Sequence, residues 1–476
     1  MSFSNEVEAF IRDFAKDLDA GNAAVFAGAG MSKGSGYVDW PELLRDIASE
    51  IGLDVDREQD LISLAQFHVN QLRGSAKLTR RIVEEFSHQA ESSPTHEILA
   101  QLPIRTYWTT NYDTLIEDAI KAAFKVPDVK HDVDQLSTTR PKRDVVVYKM
   151  HGDVHHANKA ILYKEQYEQY YQSHAPFVTA LMGDLVSKTF LFIGFSFTDP
   201  NLDYVLSRLH TSTKRNHYCF MRKEKIDTAE DEELNKYRAR KQDLRVDDLK
   251  RYGIQTLLID EYSDIPKILE AIKARFLKKT VFIAGSAETY GAWERQEALN
   301  FVHSLTGSLI RSDLRVVNGF GWGIGSAVIN GALEAIYANP EKYSEEQLVM
   351  RPFPQFPTRD QDLPSLWEEY RQRMIALSGI AIFIFGNKAA TDGSIVVANG
   401  MIREFEIAVS HGRIPVPVGV TGFAAEKIAA QVLGAPDEYY TGVEWIVPMI
   451  QELSNPAVPR TELVKKLIEI VQRLGK

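Results

Sequence analysis

Short runs of apolar residues recur along the whole chain, and longer stretches with helical periodicity lie between them. The clearest runs cover residues 23–27, 145–148, 190–193, 256–259, 281–284, 314–317, 380–385 and 414–418. Most of them are continuous rather than alternating, which is typical of central strands in a parallel sheet whose two faces are both covered. Strands that alternate with helices in this way predict an α/β architecture with helices flanking parallel sheets.

The helical patterns suggest where the chain divides. One helix is predicted over residues 41–51 behind a capping residue at Asp39. Another, over 264–277, is followed by a new strand that ends in a glycine turn. Because the run of strands restarts there, we predict two α/β domains, residues 1–278 and 279–476.

The composition excludes several classes of protein. The 476 residues carry 55 Lys and Arg against 65 Asp and Glu, a formal charge of −10, which argues against a nucleic-acid partner. Cys219 is the only cysteine, so a disulfide framework and a zinc site built from several cysteines are excluded. No apolar run reaches the ~18 residues of a membrane span, which predicts a cytoplasmic protein without membrane contact. The densely charged segment 223–252 is predicted to be a solvent-exposed pair of helices.

Four segments of the first half end predicted strands in small, polar or ionisable residues. They are Gly28-Ala29-Gly30, the stretch 109–113, the pair His151-Gly152, and the stretch 194–199. Because the carboxyl ends of parallel strands meet at one edge of a sheet, we expect these groups to form one shared site. Each motif alone could also be structural, as a packing turn, as helix caps at Asn111 and Asp113, or as a loop histidine.

The order of these motifs resembles the sirtuin family over residues 8–275, through the segments GAGMS, TTNYD, HG and GFS. Sirtuins bind NAD and cleave the bond between nicotinamide and ribose. The resemblance implies that Asn111 holds the nicotinamide ribose, that Asp113 holds the nicotinamide amide, and that His151 is the general base. It also implies residues that line the dinucleotide, the last two on its adenosine side: Gly28, Ala29, Gly30, Ser32, Gly194 and Ser196.

Two departures from the sirtuin pattern bear on the reaction. Deacetylating sirtuins carry a four-cysteine zinc module, which this chain cannot build, and their G-I-P-x-F-R segment is replaced here by residues 36–40. An acyl-peptide channel is therefore not expected, water becomes the acceptor, and NAD is a substrate that is hydrolysed without a metal. A sirtuin-type protein deacylase or ADP-ribosyltransferase, and a non-catalytic nucleotide-binding assembly protein, stay open as alternatives.

The second half contains two glycine-rich turns of its own. One is Gly285-Ser286 at the end of a strand, and the other, between Gly319 and Gly325, joins a strand to a helix. These motifs resemble the SLOG superfamily of Rossmann-like domains over residues 279–450. Enzymatic members carry a P-G-G-x-G-T loop that this sequence lacks, so the resemblance implies ligand sensing rather than catalysis.

A sirtuin-like half joined to a SLOG half resembles the NAD-depleting effector family of the Thoeris anti-phage defence system. In that family a TIR-domain partner makes a cyclic ADP-ribose isomer on infection, and the isomer binds the SLOG half and activates NAD hydrolysis. The resemblance implies a tetramer or filament, and cationic side chains suit a ligand with two phosphates. It implies contacts to this signal from Gly285, Ser286, Gly323, Arg371, Lys388 and Glu404.

Overall fold

The computed structural model describes residues 3–88, 90–197, 199–208, 215–225, 231–358 and 361–475. The chain divides into two compact units, Met1–Lys273 and Ala274–Lys476. Each unit is built on a parallel sheet with helices packed against it, so the predicted α/β fold class is confirmed. Within the described ranges, no helix is long and apolar enough to cross a membrane.

The first unit contains a seven-stranded sheet in which each neighbouring pair is parallel. Its strands are β1 Ala23–Ala27, β2 Thr106–Thr109, β3 Pro127–Lys130, β4 Val145–Lys149, β5 Thr189–Ile193, β6 His217–Arg222 and β7 Ile254–Ile259. Their order is β3-β4-β2-β1-β5-β6-β7. The strand order reverses between β1 and β5, both buried along their whole length, and this gap is the topological switch point of the sheet.

Within the described residues of this unit, twelve α-helices begin, and the last of them contains the division between the units. They are α1 Asn5–Asp19, α2 Ala29–Lys33, α3 Trp40–Glu50, α4 Leu61–Leu72, α5 Ala76–Phe86, α6 Pro94–Gln101, α7 Leu115–Ala122, α8 Lys164–Ser173, α9 Ala175–Ser187, α10 Pro200–Arg208, α11 Glu232–Lys250 and α12 Asp264–Leu277. Short 3-10 helices cover Val55–Arg57, Val133–Ser137 and Val154–Lys159.

Two helix predictions have different outcomes. Helix α3 begins behind Asp39 as predicted, because the Asp39 carboxylate accepts from the Glu42 N–H while the Glu42 carboxylate accepts from the Asp39 N–H. The predicted pair of helices over 223–252 is wrong: the described part forms the single helix α11, which contains no Gly or Pro that would break it. Residues 226–230 of that segment lie outside the described residues.

The second unit contains a five-stranded parallel sheet and a small antiparallel hairpin. The sheet strands are β8 Thr280–Ser286, β9 Arg315–Asn318, β10 Leu348–Met350, β11 Ile380–Phe385 and β14 Ile414–Pro417, and the hairpin is β12 Asn387–Ala389 with β13 Ile395–Val397. The order β10-β9-β8-β11-β14 places the switch point between β8 and β11. The helices are α13 Arg295–Arg311, α14 Gly325–Ala338, α15 Leu363–Ile375, α16 Asn399–Ser410, α17 Phe423–Gly434, α18 Pro436–Tyr439, α19 Val447–Leu453 and α20 Arg460–Gly475, with 3-10 helices at Glu345–Gln347, Gly419–Thr421 and Glu444–Ile446.

Candidate functional site

Two loops meet at the switch point of the first sheet, one after β1 and one after β5. Gly28 and Gly30 donate their main-chain N–H groups to the carbonyls of Ile193 and Gly194, both at 2.9 Å. A Cβ on Gly28 would lie 2.5 Å from the Gly194 carbonyl oxygen. A Cβ on Gly194, whose φ is +65°, would overlap the main chain of Met31. The glycines therefore allow the two loops to pack main chain against main chain.

The buried side chain of Asn111 lies at this junction. Its Nδ2 donates to the Gly28 carbonyl at 3.1 Å and to Ser32 Oγ at 2.9 Å. The Ser32 hydroxyl donates to Asp113 Oδ2 at 2.7 Å, and Asp113 Oδ1 accepts from the Leu115 N–H at 3.0 Å. Among the described residues, Asn111 Oδ1 is buried without a hydrogen-bond partner. A buried acceptor without a partner costs stability, so it marks a place where a ligand can supply the missing donor.

A buried lysine supports the same loop. Lys149, the last residue of β4, is fully buried, and its Nζ donates to the main-chain carbonyls of Tyr112 at 3.1 Å and Asp113 at 2.5 Å. It also forms ion pairs with Asp153 at 2.6 Å and Glu117 at 3.1 Å. Burial alone would lower the pKa of Lys149, but the carboxylates of Glu117 and Asp153 raise this pKa above its ordinary value. Lys149 is therefore a cation that fixes the loop from the interior.

His151 lies just after β4, and its ring is only 1% exposed. Nδ1 lies 3.4 Å from the Tyr167 hydroxyl, and Nε2 lies 3.4 Å from both Asn201 Nδ2 and Asp199 Oδ2. Burial lowers the pKa of His151, while the negative charge of Asp199 opposes this shift. A buried imidazole that is neutral and close to a carboxylate can accept a proton.

The structure brings six of the residues predicted for the first half into one connected set of contacts: Gly28, Gly30, Ser32, Asn111, Asp113 and Gly194. Ala29 is half-buried in the same turn. Ser196 is exposed, and its carbonyl accepts a hydrogen bond from Arg245. The contacts of His151 join it to Asp199 and Asn201 rather than to Asn111.

Two residues of this region were missed by sequence reasoning. Lys149 could have been found from its position in the sequence, because a lysine at the end of a buried apolar strand needs charged partners. Asn201 gave a weaker signal, since it lies shortly after the 194–199 stretch that was singled out. In the part of the chain that the structure describes, no group of three or more His, Cys, Asp and Glu residues could hold a metal ion.

The second unit has a similar glycine junction next to its switch point, between the loops that follow the neighbouring strands β8 and β9. A Cβ on Gly321 would overlap the Gly285 carbonyl, and a Cβ on Gly323, whose φ is +77°, would overlap the carbonyl of Ala287. The Ala287 N–H donates to the Trp322 carbonyl at 2.8 Å. The loops after β8 and β9 therefore pack against each other through glycine, as the loops after β1 and β5 do.

Asn387, at the start of β12, ties the loop after β8 to the end of β11. Its buried Oδ1 accepts from the N–H groups of Glu288 and Thr289, both at 3.0 Å, and its Nδ2 donates to the Thr289 carbonyl at 2.8 Å. Ser286 Oγ donates to the Asn387 carbonyl at 3.0 Å. Asn387 was not predicted, although it directly precedes Lys388, which is exposed on the hairpin.

Arg371 and Glu404 face each other from α15 and α16. Arg371 Nε lies 3.8 Å from Glu404 Oε1, and the guanidinium carbon lies 5.1 Å from the centre of the Phe353 ring. Counting only described residues, the buried Arg371 Nε has no hydrogen-bond partner. Burial raises the pKa of Glu404 to about 7, and Arg371 opposes this shift. The structure thus pairs Arg371 with Glu404, and it places three other predicted residues at the glycine junction: Gly285, Ser286 and Gly323.

Both units match known domain families. Residues 105–246 match the model of the SIR2-like domain, and residues 264–474 match that of the Sir2- and TIR-associating SLOG family. The chain is therefore a protein with a SIR2-like α/β domain, without the four-cysteine zinc module, followed by a SLOG domain. Both predicted resemblances are confirmed.

Three of its curated relatives are named NAD(+) hydrolase ThsA. The protein of Bacillus cereus (strain MSX-D12) is 46% identical over 100% of both chains. The protein of Cytobacillus dafuensis is 40% identical over 100% of this chain and 98% of its own. The protein of Acinetobacter baumannii (strain 532279) is 44% identical over 92% of each chain. The chain belongs to the ThsA family.

Proposed function

We propose that this protein hydrolyses NAD+ to nicotinamide and ADP-ribose, or the cyclic form of ADP-ribose. Its ThsA relatives are named for this activity, which supports the proposal. The observation that carries it is the buried Asn111 amide at the switch point, because Oδ1 has no partner among the described residues. Dinucleotides bind at such switch points, and a ribose hydroxyl or a water molecule is the kind of donor that this oxygen needs.

In this proposal the polar side chains contact the nicotinamide end of NAD+. Asn111 orients the ribose and the attacking water, and Asp113, fixed by Ser32, holds the nicotinamide amide. The main-chain N–H groups of Gly28 and Gly30 already donate to the neighbouring loop. These glycines therefore act by allowing close approach of the dinucleotide rather than by donating to its phosphates. The remaining lining residues are Ala29, Gly194 and Ser196.

The reaction needs orientation and one proton acceptor. The bond between the ribose and the pyridine nitrogen breaks, and its electron pair stays on nicotinamide, which leaves as a neutral molecule. The oxygen of water bonds to the anomeric carbon, and the proton of that water passes to His151 and then to solvent. Holding the ribose and the water in one geometry supplies much of the rate enhancement, because the charged transition state is met by groups already in place.

The test is nicotinamide release from NAD+ by Asn111→Ala, measured by chromatography with cyclic ADP-ribose isomers present. We expect at least a ~100-fold loss in a variant that still unfolds cooperatively, because the variant removes an orienting group. Asn70→Ala, which changes an exposed amide on α4, is the control and should keep full activity. Full activity of Asn111→Ala would overturn the assignment. Release that requires an acyl-lysine peptide would favour the deacylase, and NAD+ binding without release would favour the non-catalytic alternative.

We further propose that a cyclic ADP-ribose isomer, made by a TIR-domain partner, binds the second unit and activates the first. NAD+ would then be depleted as anti-phage defence, in the cytoplasm, by a tetramer or filament. The match to a Sir2- and TIR-associating family supports a TIR partner. Cations for the phosphates would come from the exposed Lys388 and from Arg371, whose buried Nε has no hydrogen-bond partner in the described chain. The other signal contacts would come from Gly285, Ser286, Gly323 and Glu404.

Activation by the signal requires that the signal bind the active state more tightly than the resting state. A hundredfold preference of the signal for the active state corresponds to about 2.7 kcal/mol of coupling. We expect Arg371→Ala to raise the isomer concentration needed for half-maximal activation at least ~10-fold. The maximal rate should stay unchanged, because the variant loses affinity for the isomer and not activity. Arg473→Ala on α20 is the matched control. Equal activation of both variants and of the wild-type protein would contradict the role of Arg371.

A further inference from the structure

Two side chains beside His151, Asp199 and Asn201, have no role in the reaction as proposed above. Both meet the same ring nitrogen, because Asp199 Oδ2 and Asn201 Nδ2 each lie 3.4 Å from Nε2. The Tyr167 hydroxyl lies 3.4 Å from the other nitrogen, Nδ1. His151, Asn201 and Tyr167 are buried, so these groups, rather than bulk water, surround the ring when it gains or loses a proton.

The two groups at Nε2 serve opposite protonation states of the ring. The Asn201 Nδ2 group donates, so it pairs with the Nε2 lone pair of the neutral ring. The Asp199 carboxylate accepts, so it pairs with the Nε2–H of the protonated ring. The Tyr167 oxygen can accept from Nδ1–H in both states. Both Nε2 contacts are long, so the ring can exchange one for the other without a change of rotamer.

We propose that Asp199 is a positioning residue that lets His151 hold the proton taken from water during NAD+ hydrolysis, while Asn201 holds the neutral ring. The inference rests on the proposed function of the site. As the water oxygen bonds to the anomeric carbon and nicotinamide leaves neutral, the water proton moves to Nε2. The carboxylate of Asp199 then balances the positive charge of the ring, and the proton passes to solvent to restore the neutral state.

The local fold fixes Asp199 for this task. It directly precedes α10, and its Oδ1 accepts from the N–H groups of Asn201 at 2.9 Å and Leu202 at 3.1 Å. One carboxylate oxygen is therefore held by the start of the helix, and the other faces His151. Asparagine caps a helix about as well as aspartate. Asp199→Asn thus keeps the cap, removes the negative charge, and replaces the acceptor that faces His151 with an amide N–H donor.

The groups that face the ring set the direction of the pH effect. Burial lowers the pKa of His151, and the charge of Asp199 raises it. Tyr167 and Tyr170 lie edge-on, with ring centroids 5.2 and 6.2 Å from that of His151. His174 stacks on Tyr170 with ring centroids 4.5 Å apart, and burial and then the charge on His151 lower the pKa of His174. Removing the Asp199 charge therefore lowers the pKa of His151 further.

The first test follows the His151 ring by NMR in the full chain without NAD+, using histidine labelled in the ring. The His151 resonance is assigned with His151→Gln, since the chain has 12 histidines. We expect the His151 pKa to fall in Asp199→Asn and to stay unchanged in Asp203→Asn. Asp203 is a matched control because it is an exposed aspartate on α10, the helix that Asp199 precedes, and it accepts from the Tyr252 hydroxyl at 3.2 Å. A His151 resonance that titrates identically in wild type and Asp199→Asn, or in neither, would overturn the pairing.

The second test is the pH dependence of kcat/KM for NAD+ with a cyclic ADP-ribose isomer present. We expect Asp199→Asn to lose ~100-fold in kcat and its acidic limb to move to lower pH, while Asp203→Asn matches the wild-type profile. A reduced rate with an unmoved limb would assign Asp199 a structural role only and refute the proposal. If the NMR shift is observed and the wild-type protein does not hydrolyse NAD+, the pairing stands and the proposed reaction fails.

Discussion

Lys149→Met should destabilise the first unit strongly, because it removes a cation that contacts two buried carboxylates. Asp153 and Glu117 lie 2.6 and 3.1 Å from Nζ, with side chains 6% and 4% exposed. Breaking a buried ion pair on one side costs about 3–5 kcal/mol, because the remaining charge is left without compensation. At 2–4 °C per kcal/mol for a unit of this size, the melting temperature should fall by roughly 6–20 °C.

The measurement is thermal unfolding together with hydrogen exchange of the peptides that cover residues 106–115 and 145–155. Exchange should rise in the first peptide, because the carbonyls of Tyr112 and Asp113 lose their buried donor. Lys121→Met is the control, since it breaks an ion pair with the exposed Asp118 and should cost no more than about 1 kcal/mol.

A second substitution tests the cause of the destabilisation. Adding Asp153→Asn to Lys149→Met removes the orphaned charge while keeping an acceptor for the His155 N–H. The double variant should regain about 1–2 kcal/mol over Lys149→Met alone. If Lys149→Met melts within 1–2 °C of Lys121→Met, or if the double variant is less stable than the single one, the charge argument is refuted.

Two further changes test the glycine junction of the first unit and the pair formed by Arg371 and Glu404 in the second unit. Gly194→Ala should destabilise by more than about 2 kcal/mol in chemical unfolding, because of its positive φ and the overlap with Met31, whereas Gly183→Ala inside α9 should be neutral or stabilising. Glu404→Gln should melt above wild type at pH 8 and no higher at pH 4. The reason is that the raised pKa of Glu404, about 7, makes the folded state lose stability as pH rises from the ordinary value of 4.5. Equal differences in melting temperature at both pH values would contradict the raised pKa of Glu404. A Glu404→Gln variant that melts below wild type at pH 8 would also contradict it, because the contact with Arg371 would then outweigh the cost of burying the charge.

The apolar runs predicted the central strands well, because burial on both faces leaves a continuous signal. The predicted strands over 23–27 and 380–385 have the same bounds in β1 and β11. Of the edge strands, β7 and β14 coincide with the apolar runs at 256–259 and 414–418, whereas β3 and β10 were not predicted. Strand β3, with the sequence PDVK, lacks such a run and is defined by pairing with β4. The same limit applies to the site. The motif at Asn111 is visible along the chain, but the contact between His151 and Asn201 joins residues 50 positions apart.

The glycines of the site contribute to folding, whereas its polar side chains contribute to the reaction. Substitutions in the two groups are therefore expected to have different effects. At the first switch point the glycine N–H groups donate to the neighbouring loop, so a side chain added there displaces main chain. Asn111 instead ends in an oxygen without a partner in the described chain, and His151 meets a donor and an acceptor at one nitrogen. Substitutions at the glycines are therefore expected to destabilise the fold, and activity is lost as a consequence. Changes at Asn111, Asp199 or His151 act on the reaction in a chain that remains folded, so stability and activity measured together separate the two groups.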